Sequence, residues 1–268
     1  MCRIAAYLGE GDVSLSSLVL EPEHSLLVQS YAPREMTSGV VNADGFGCGW
    51  YAPEVDEEPA VYRTDVPIWS DRSFASMAPK IRSASVLAAV RSATPGLPAE
   101  ESGVPPFASG PYLFVHNGAI KDFRRTAMRR LRDALSDESY SGLLGTTDSE
   151  TVFALLLDRL RATKAAPGDA AALAEATAET VRCVSEVCAR LGVPAALNVG
   201  AIDGRAMAFA RYSTGGPGNS LYLLEGGRSF PGAVVVASER LNADAGWRTV
   251  PDRHLLVADR RGVSVSPL

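Results

Sequence analysis

Short apolar runs near both ends of the chain, separated by stretches of helical periodicity, set the outline of this protein. Residues 4–8, Ile-Ala-Ala-Tyr-Leu, are short and apolar enough for a buried strand. Residues 15–20 fit a short helix, and residues 24–38 read as a loop. Residues 46–51 alternate small or polar with aromatic positions, as a strand does, and the acidic stretch 54–59 reads as the turn after it. The runs at 86–90 and 112–116 are again apolar and β-prone, with a Pro/Gly/Ser-rich loop over 95–111 between them. Three helical stretches follow. Residues 122–135 are amphipathic. Residues 148–160 start at an acidic cap and keep Val152, Leu155, Leu156 and Leu160 on one face. Residues 170–191 are alanine-rich and long. After Gly192-Val193-Pro194 the pattern turns to strands at 197–202, 206–212, 221–224, 234–237, 254–257 and 263–265. Strand-rich ends around a helical middle predict an α+β protein of two stacked sheets, each covered by helices on its outer face.

Composition narrows the function classes. The 268 residues, 46% hydrophobic and 21% charged, suit a globular enzyme with a sizeable core. A formal net charge of −5, with no Lys/Arg cluster long enough to follow a phosphate backbone, argues against nucleic-acid binding. The basic residues Lys121, Arg124, Arg125, Arg129, Arg130 and Arg132 read as the solvated face of one helix. No signal-peptide pattern opens the chain, and no window holds the roughly 18 apolar residues a membrane span needs. A cytoplasmic protein without a membrane partner is expected. The four cysteines Cys2, Cys48, Cys183 and Cys188 are too scattered for a disulfide framework. With three histidines, His24, His116 and His254, neither a metal centre nor a cofactor is expected.

Five segments carry candidate chemistry. A cysteine at position 2 becomes the first residue once Met1 is removed, and then bears both a thiol and a free α-amine. That amine, titrating near pH 8, can take the thiol proton directly or through water, so nucleophile and base come as one unit. In Asn42–Tyr51, three glycines at alternate positions suit either a close backbone approach or a hairpin packed on another strand. Arg91, at the end of an apolar run and ahead of Ser92-Ala93-Thr94-Pro95-Gly96, offers a guanidinium fork to a carboxylate, or makes a surface ion pair. His116-Asn117-Gly118, where the strand is expected to stop, offers an amide side chain and a glycine N–H fit for an oxyanion, or a plain Asn-Gly turn. In Gly145-Thr146-Thr147-Asp148-Ser149-Glu150, Asp148 either binds a substrate ammonium or caps the helix that follows, its neighbours being able to share the capping.

In this order the five segments resemble the class II glutamine amidotransferases, a family of N-terminal-nucleophile hydrolases. The resemblance is carried by motifs over residues 2–160 and extends over the remainder as the second half of the same fold. Residues 14–20, 24–33 and 42–51, with Val236-Ala237-Ser238-Glu239-Arg240-Leu241 and Gly246-Trp247-Arg248-Thr249-Val250-Pro251, are similar to the stand-alone branch of ergothioneine biosynthesis. That branch removes the γ-glutamyl group from γ-glutamyl-hercynylcysteine sulfoxide. The resemblance implies a four-layer αββα sandwich of mainly antiparallel sheets in one domain over residues 2–268. It implies Cys2 as nucleophile, Asn117 and Gly118 as the oxyanion hole, and Arg91 and Asp148 as the grips on the glutamyl α-carboxylate and α-ammonium. Thr94 and His116 complete the implied substrate-binding set. Two segments depart from relatives, Ile4-Ala5 after the arginine and Gly103-Val104-Pro105-Pro106-Phe107, and both fall to the leaving-group side. The expected partner is a small γ-glutamyl compound, with self-association left open. Alternatives are a glutaminase subunit feeding ammonia to a separate synthase, a γ-glutamyl hydrolase of another specialised pathway, and an inactive glutamine-binding domain.

Overall fold

Runs such as residues 86–90 lack polar alternation because both faces of the strand are covered. The computed structural model describes residues 2–36, 39–93, 100–216 and 218–268. In chain order it begins with β1 (Arg3–Ser14), α1 (Leu15–Val19), α2 (Leu26–Tyr31), β2 (Phe46–Ala52), β3 (Asp56–Thr64), α3 (Arg72–Met77) and β4 (Arg82–Val90). It continues through β5 (Phe107–Ser109), β6 (Tyr112–Ile120), α4 (Met128–Arg132), α5 (Asp137–Ser141), α6 (Asp148–Thr163) and α7 (Ala170–Leu191). The last third is all strand: β7 (Ala195–Ile202), β8 (Ala206–Arg211), β9 (Tyr222–Glu225), β10 (Ala233–Ala237), β11 (Arg248–Thr249), β12 (His254–Asp259) and β13 (Gly262–Pro267).

Among the described residues, one sheet runs β11-β9-β10-β1-β4-β2-β3 and the other β13-β12-β8-β7-β6-β5, with every pairing antiparallel. Three apolar layers separate four layers of structure. Between the sheets, Ile4, Leu87 and Ala89 meet Leu113, Val115 and Phe209. Outside the first sheet, Ala5, Val86 and Val90 pack on Leu15, Leu18, Leu26 and Phe74 of α1–α3. Outside the second, Phe114, Leu197 and Val199 pack on Val152, Leu155, Val181 and Val184 of α6 and α7. This is the αββα sandwich that the sequence implies. No described helix is long and apolar enough to cross a membrane.

Several local expectations change. The acidic stretch 54–59 is not only a turn, because β3 starts at Asp56 and lies at the edge of its sheet, where charged residues and Pro59 are tolerated. The loop expected over 24–38 contains α2, whose N-cap Ser25 accepts from the Val28 N–H. The single helix expected over 122–135 is broken. Asp122 sits in the left-handed region at φ 50°, a tight turn spans Phe123–Arg125, and Thr126 Oγ1 donates to the carbonyls of Lys121 and Asp122 in competition with helical bonding. Its basic residues therefore do not form one helix face, and Arg132 instead donates to the Gly145 carbonyl. Most consequential, β6 does not stop at His116 but runs on to Ile120, with Asn117 opposite Asn198 and Gly118 opposite Leu197.

Candidate active site

Chain geometry brings the candidate residues to one end of the sandwich. In the antiparallel pair β1/β4, Arg3 lies opposite Val90, so the residue before β1 and the residue after β4, Cys2 and Arg91, lie at the same end of the first sheet. Strand β6 of the facing sheet contributes His116 and Gly118, and the first turn of α6 contributes Asp148. Cys2, Arg91, His116, Gly118 and Asp148 line one cleft, together with Gly103 and Pro105. Met1 and Thr94 lie outside the described residues.

The loop before β2 and the chain around Gly103 build the Arg91 position. The Arg91 N–H donates to the carbonyl of Gly45, a residue at φ 107° that glycine adopts without strain. Asp44 accepts from the Ala93 N–H at 2.8 Å. The buried guanidinium donates from Nη1 to the Glu100 carbonyl at 3.2 Å, and a Cβ on Gly103 would stand 2.7 Å from Nη2. Segment 103–107, expected at the leaving-group side, thus also forms the wall behind Arg91. The glycines of β2 have a packing cause: a side chain at Gly47 would strike the Pro105 carbonyl, and one at Gly49 would stand 2.6 Å from Leu113 Cδ1 of the facing sheet.

Asp148 is released from capping by its neighbour. Thr147 is the N-cap of α6 and its hydroxyl accepts from the Glu150 N–H. The Asp148 carboxylate, buried at the cleft, accepts from the Ile120 N–H at Oδ2 and from the Ser149 N–H at Oδ1, both at 2.8 Å. Lone pairs remain on both oxygens for a cation. At His116, Nε2 donates to the Ala196 carbonyl at 3.0 Å, which in a neutral ring makes Nδ1 the acceptor for the Ser149 hydroxyl at 3.0 Å. Both ring nitrogens are thereby satisfied within the protein. Ser149, singled out by sequence only as a capping neighbour, ties His116 to the first turn of α6.

Because β6 continues, His116 and Asn117 face opposite ways. His116 looks toward α6, whereas the Asn117 side chain enters the layer between the sheets and is fully buried. Its Nδ2 donates to Ser238 Oγ at 3.2 Å, and Asn219 Nδ2 donates to its carbonyl and to its Oδ1. Gly118 is the residue of this pair that lines the cleft, and a side chain there would strike the Ala196 carbonyl.

Behind Cys2 lies a buried charge system. Arg3, with no exposure, is 3.4 Å from Glu239, and none of its guanidinium nitrogens has a hydrogen-bond partner among the described residues. Glu239 also accepts from His24 Nε2 at 2.6 Å and from the N–H groups of Arg34 and Glu35. Burial alone would raise the Glu239 carboxyl, but these hydrogen bonds and the Arg3 charge together hold it below the ordinary carboxylate value. Two other cysteines are poor nucleophiles: burial pushes the Cys48 thiol far up, and burial with the Asp148 charge pushes Cys188 up to about 11.

A family model described as glutamine amidotransferases class-II matches residues 17–214. The γ-glutamyl-hercynylcysteine sulfoxide hydrolase of Mycolicibacterium smegmatis is 38% identical over the whole of both chains. This chain belongs to the class II glutamine amidotransferase family. The enzyme of the same name from Mycobacterium tuberculosis H37Rv is 37% identical over 100% of this chain and 97% of its own. A glutamine aminotransferase class-II domain protein from Silicibacter pomeroyi has the same fold, with a TM-score of 0.70 at 23% identity over 100% of this chain and 99% of that one.

Proposed function

We propose that this amidotransferase-family chain hydrolyses the γ-glutamyl amide bond of γ-glutamyl-hercynylcysteine sulfoxide, with residues 2–268 acting as one domain. One observation carries the reading: Cys2, Arg91 and Asp148, distant in the chain, line a common cleft. The mycobacterial relatives named for that reaction, alike along their whole length, support this choice of leaving group. Removal of Met1 frees the Cys2 amine, which takes the thiol proton. Arg91 pairs with the α-carboxylate and Asp148 with the α-ammonium, two charges at a fixed separation that a γ-linked amide has and an ordinary peptide bond lacks. The resemblance adds Thr94 to the substrate-binding set, and His116 lines the same cleft with both ring nitrogens already engaged by Ser149 and Ala196.

Attack forms a bond from sulfur to the γ-carbonyl carbon and moves the carbonyl electrons to oxygen, where the Gly118 N–H and the Asn117 carboxamide donate. Collapse breaks the C–N bond, and the leaving amine takes the proton held by the Cys2 ammonium. The glutamyl thioester that remains is hydrolysed by water, which the same amine deprotonates, giving glutamate and the thiol. Removing Arg91 costs the α-carboxylate its bidentate charged contact, about 2–5 kcal/mol for a buried pair. Arg91→Ala is expected to lower kcat/KM roughly 30-fold or more, chiefly through KM. Unchanged steady-state constants would remove Arg91 from the glutamyl grip. The reading itself is tested by glutamate release from γ-glutamyl-hercynylcysteine sulfoxide, glutamine and glutathione compared side by side. The first is expected to lead. A tenfold preference for glutamine makes the chain an ammonia donor, and turnover of none rejects the reading.

A further inference from the structure

Strand β10 leaves its ladder with β1 at Ser238, and there a side chain takes over from the main chain. Ala5 still pairs with Ala237. One step further, the Ser238 N–H donates to the Ile4 carbonyl at 3.0 Å, while the Ile4 N–H donates to Ser238 Oγ rather than to a carbonyl, also at 3.0 Å. The same Oγ accepts from Asn117 Nδ2, which arrives from β6 of the facing sheet. Ser238 and Asn117 have no exposure, and Ile4 is buried between them and the core. Both Oγ lone pairs are taken, so one hydroxyl joins the strand that carries the nucleophile to the sheet that carries the oxyanion donor.

The orientation of the Asn117 amide is determined by its other end. Its Oδ1 accepts from Asn219 Nδ2 at 3.3 Å, so the nitrogen must be the atom facing Ser238; a flipped amide would set donor against donor. An amide nitrogen carries two hydrogens. Among the described residues Ser238 Oγ is the one acceptor of this nitrogen, which accounts for a single hydrogen and leaves the second to give. A donor whose first N–H is pinned holds its second in a constant direction, as an oxyanion site needs.

We propose that Ser238 is a positioning residue for the amide cleavage: its hydroxyl fixes one N–H of Asn117 and the main chain two residues after Cys2, so that the other Asn117 N–H and the thiol keep one relation throughout the reaction. The inference rests on the γ-glutamyl hydrolase reading and adds to it a residue that never touches substrate. A serine serves here because the site needs a small acceptor that two donors can share within a buried layer.

The test compares Ser238→Ala, Asn117→Ala and the double variant, each with Met1 removed, on γ-glutamyl-hercynylcysteine sulfoxide. Ser238→Ala is expected to lower kcat by roughly 10²-fold, the scale of a lost oxyanion donor. KM should stay within about threefold, because Arg91 and Asp148 are untouched. The double variant should be no slower than Asn117→Ala alone, since what Ser238 holds is the relation between the thiol and the free N–H of that residue, which Asn117→Ala already removes. Should Ser238→Ala fail to fold, Ser238→Cys under reducing conditions keeps the volume with a weaker acceptor and should show the same fall in kcat. A folded Ser238 variant with wild-type kcat, or losses that multiply in the double variant, overturns the proposal. Wild-type protein that releases no glutamate from this substrate sinks the functional reading, and this proposal with it.

Discussion

Cys2→Ala protein is expected to fold normally and to lose turnover by a factor on the order of 10⁴ or more, as removal of a covalent nucleophile does. The side chain is only half-buried and free of disulfide, so little packing is lost and the stability change should stay within about 1 kcal/mol. No neighbouring thiol substitutes. Cys48 is buried on β2 with its thiol pushed far up, and Cys188 sits on α7 pushed up to about 11. Steady-state glutamate release with a thermal melt on the same preparation checks both halves. A folded Cys2→Ala enzyme retaining a few percent of its activity contradicts covalent catalysis at this position.

Glu239→Ala is expected to destabilise the fold strongly. It leaves Arg3, which has no exposure and no hydrogen-bond partner among the described residues, as a buried charge without its ion-pair partner, and it strips an acceptor from His24 and from two backbone N–H groups. Breaking a buried pair by deleting one partner costs about 3–5 kcal/mol. Denaturant melts at neutral pH measure this directly, and a loss under about 1 kcal/mol would mean that Arg3 finds another partner. The wild-type pH profile supplies a second readout. The Glu239 carboxyl titrates lower when folded than when unfolded. Its stabilisation is therefore complete above the unfolded value and is lost as the pH falls through the folded one, a loss that Glu239→Ala protein lacks.

Much of this architecture is legible in sequence because the four layers cover both faces of the central strands, leaving continuous apolar runs at 86–90 and 234–237. The helix read over 170–191 is found at those bounds, since an Asp169 cap and Gly192 at φ 66° mark its ends in the residues themselves. Edges are harder to read. Strand β3 carries Asp56, Glu57 and Glu58 because an edge tolerates charge, and so it reads as a turn. At the candidate site, Cys2, Arg91, Gly118 and Asp148 are legible through the residue types that the proposed chemistry needs, and they line one cleft. The true reach of β6 does not, because an Asn-Gly pair inside a strand looks like a turn until its partner Asn198, far along the chain, is in register. The supporting residues are hidden for the same reason. Ser238 bonds a residue 234 positions away, and Glu239 one 215 positions away, so neither role has a local pattern.

Rapid-quench mass spectrometry of the enzyme during turnover tests the central claim most directly. Wild-type protein mixed with γ-glutamyl-hercynylcysteine sulfoxide and quenched in acid should lack Met1 and carry one glutamyl acyl group as a thioester on the peptide that begins at Cys2. Full activity in protein that retains Met1, or a glutamyl adduct on any other residue, would contradict it.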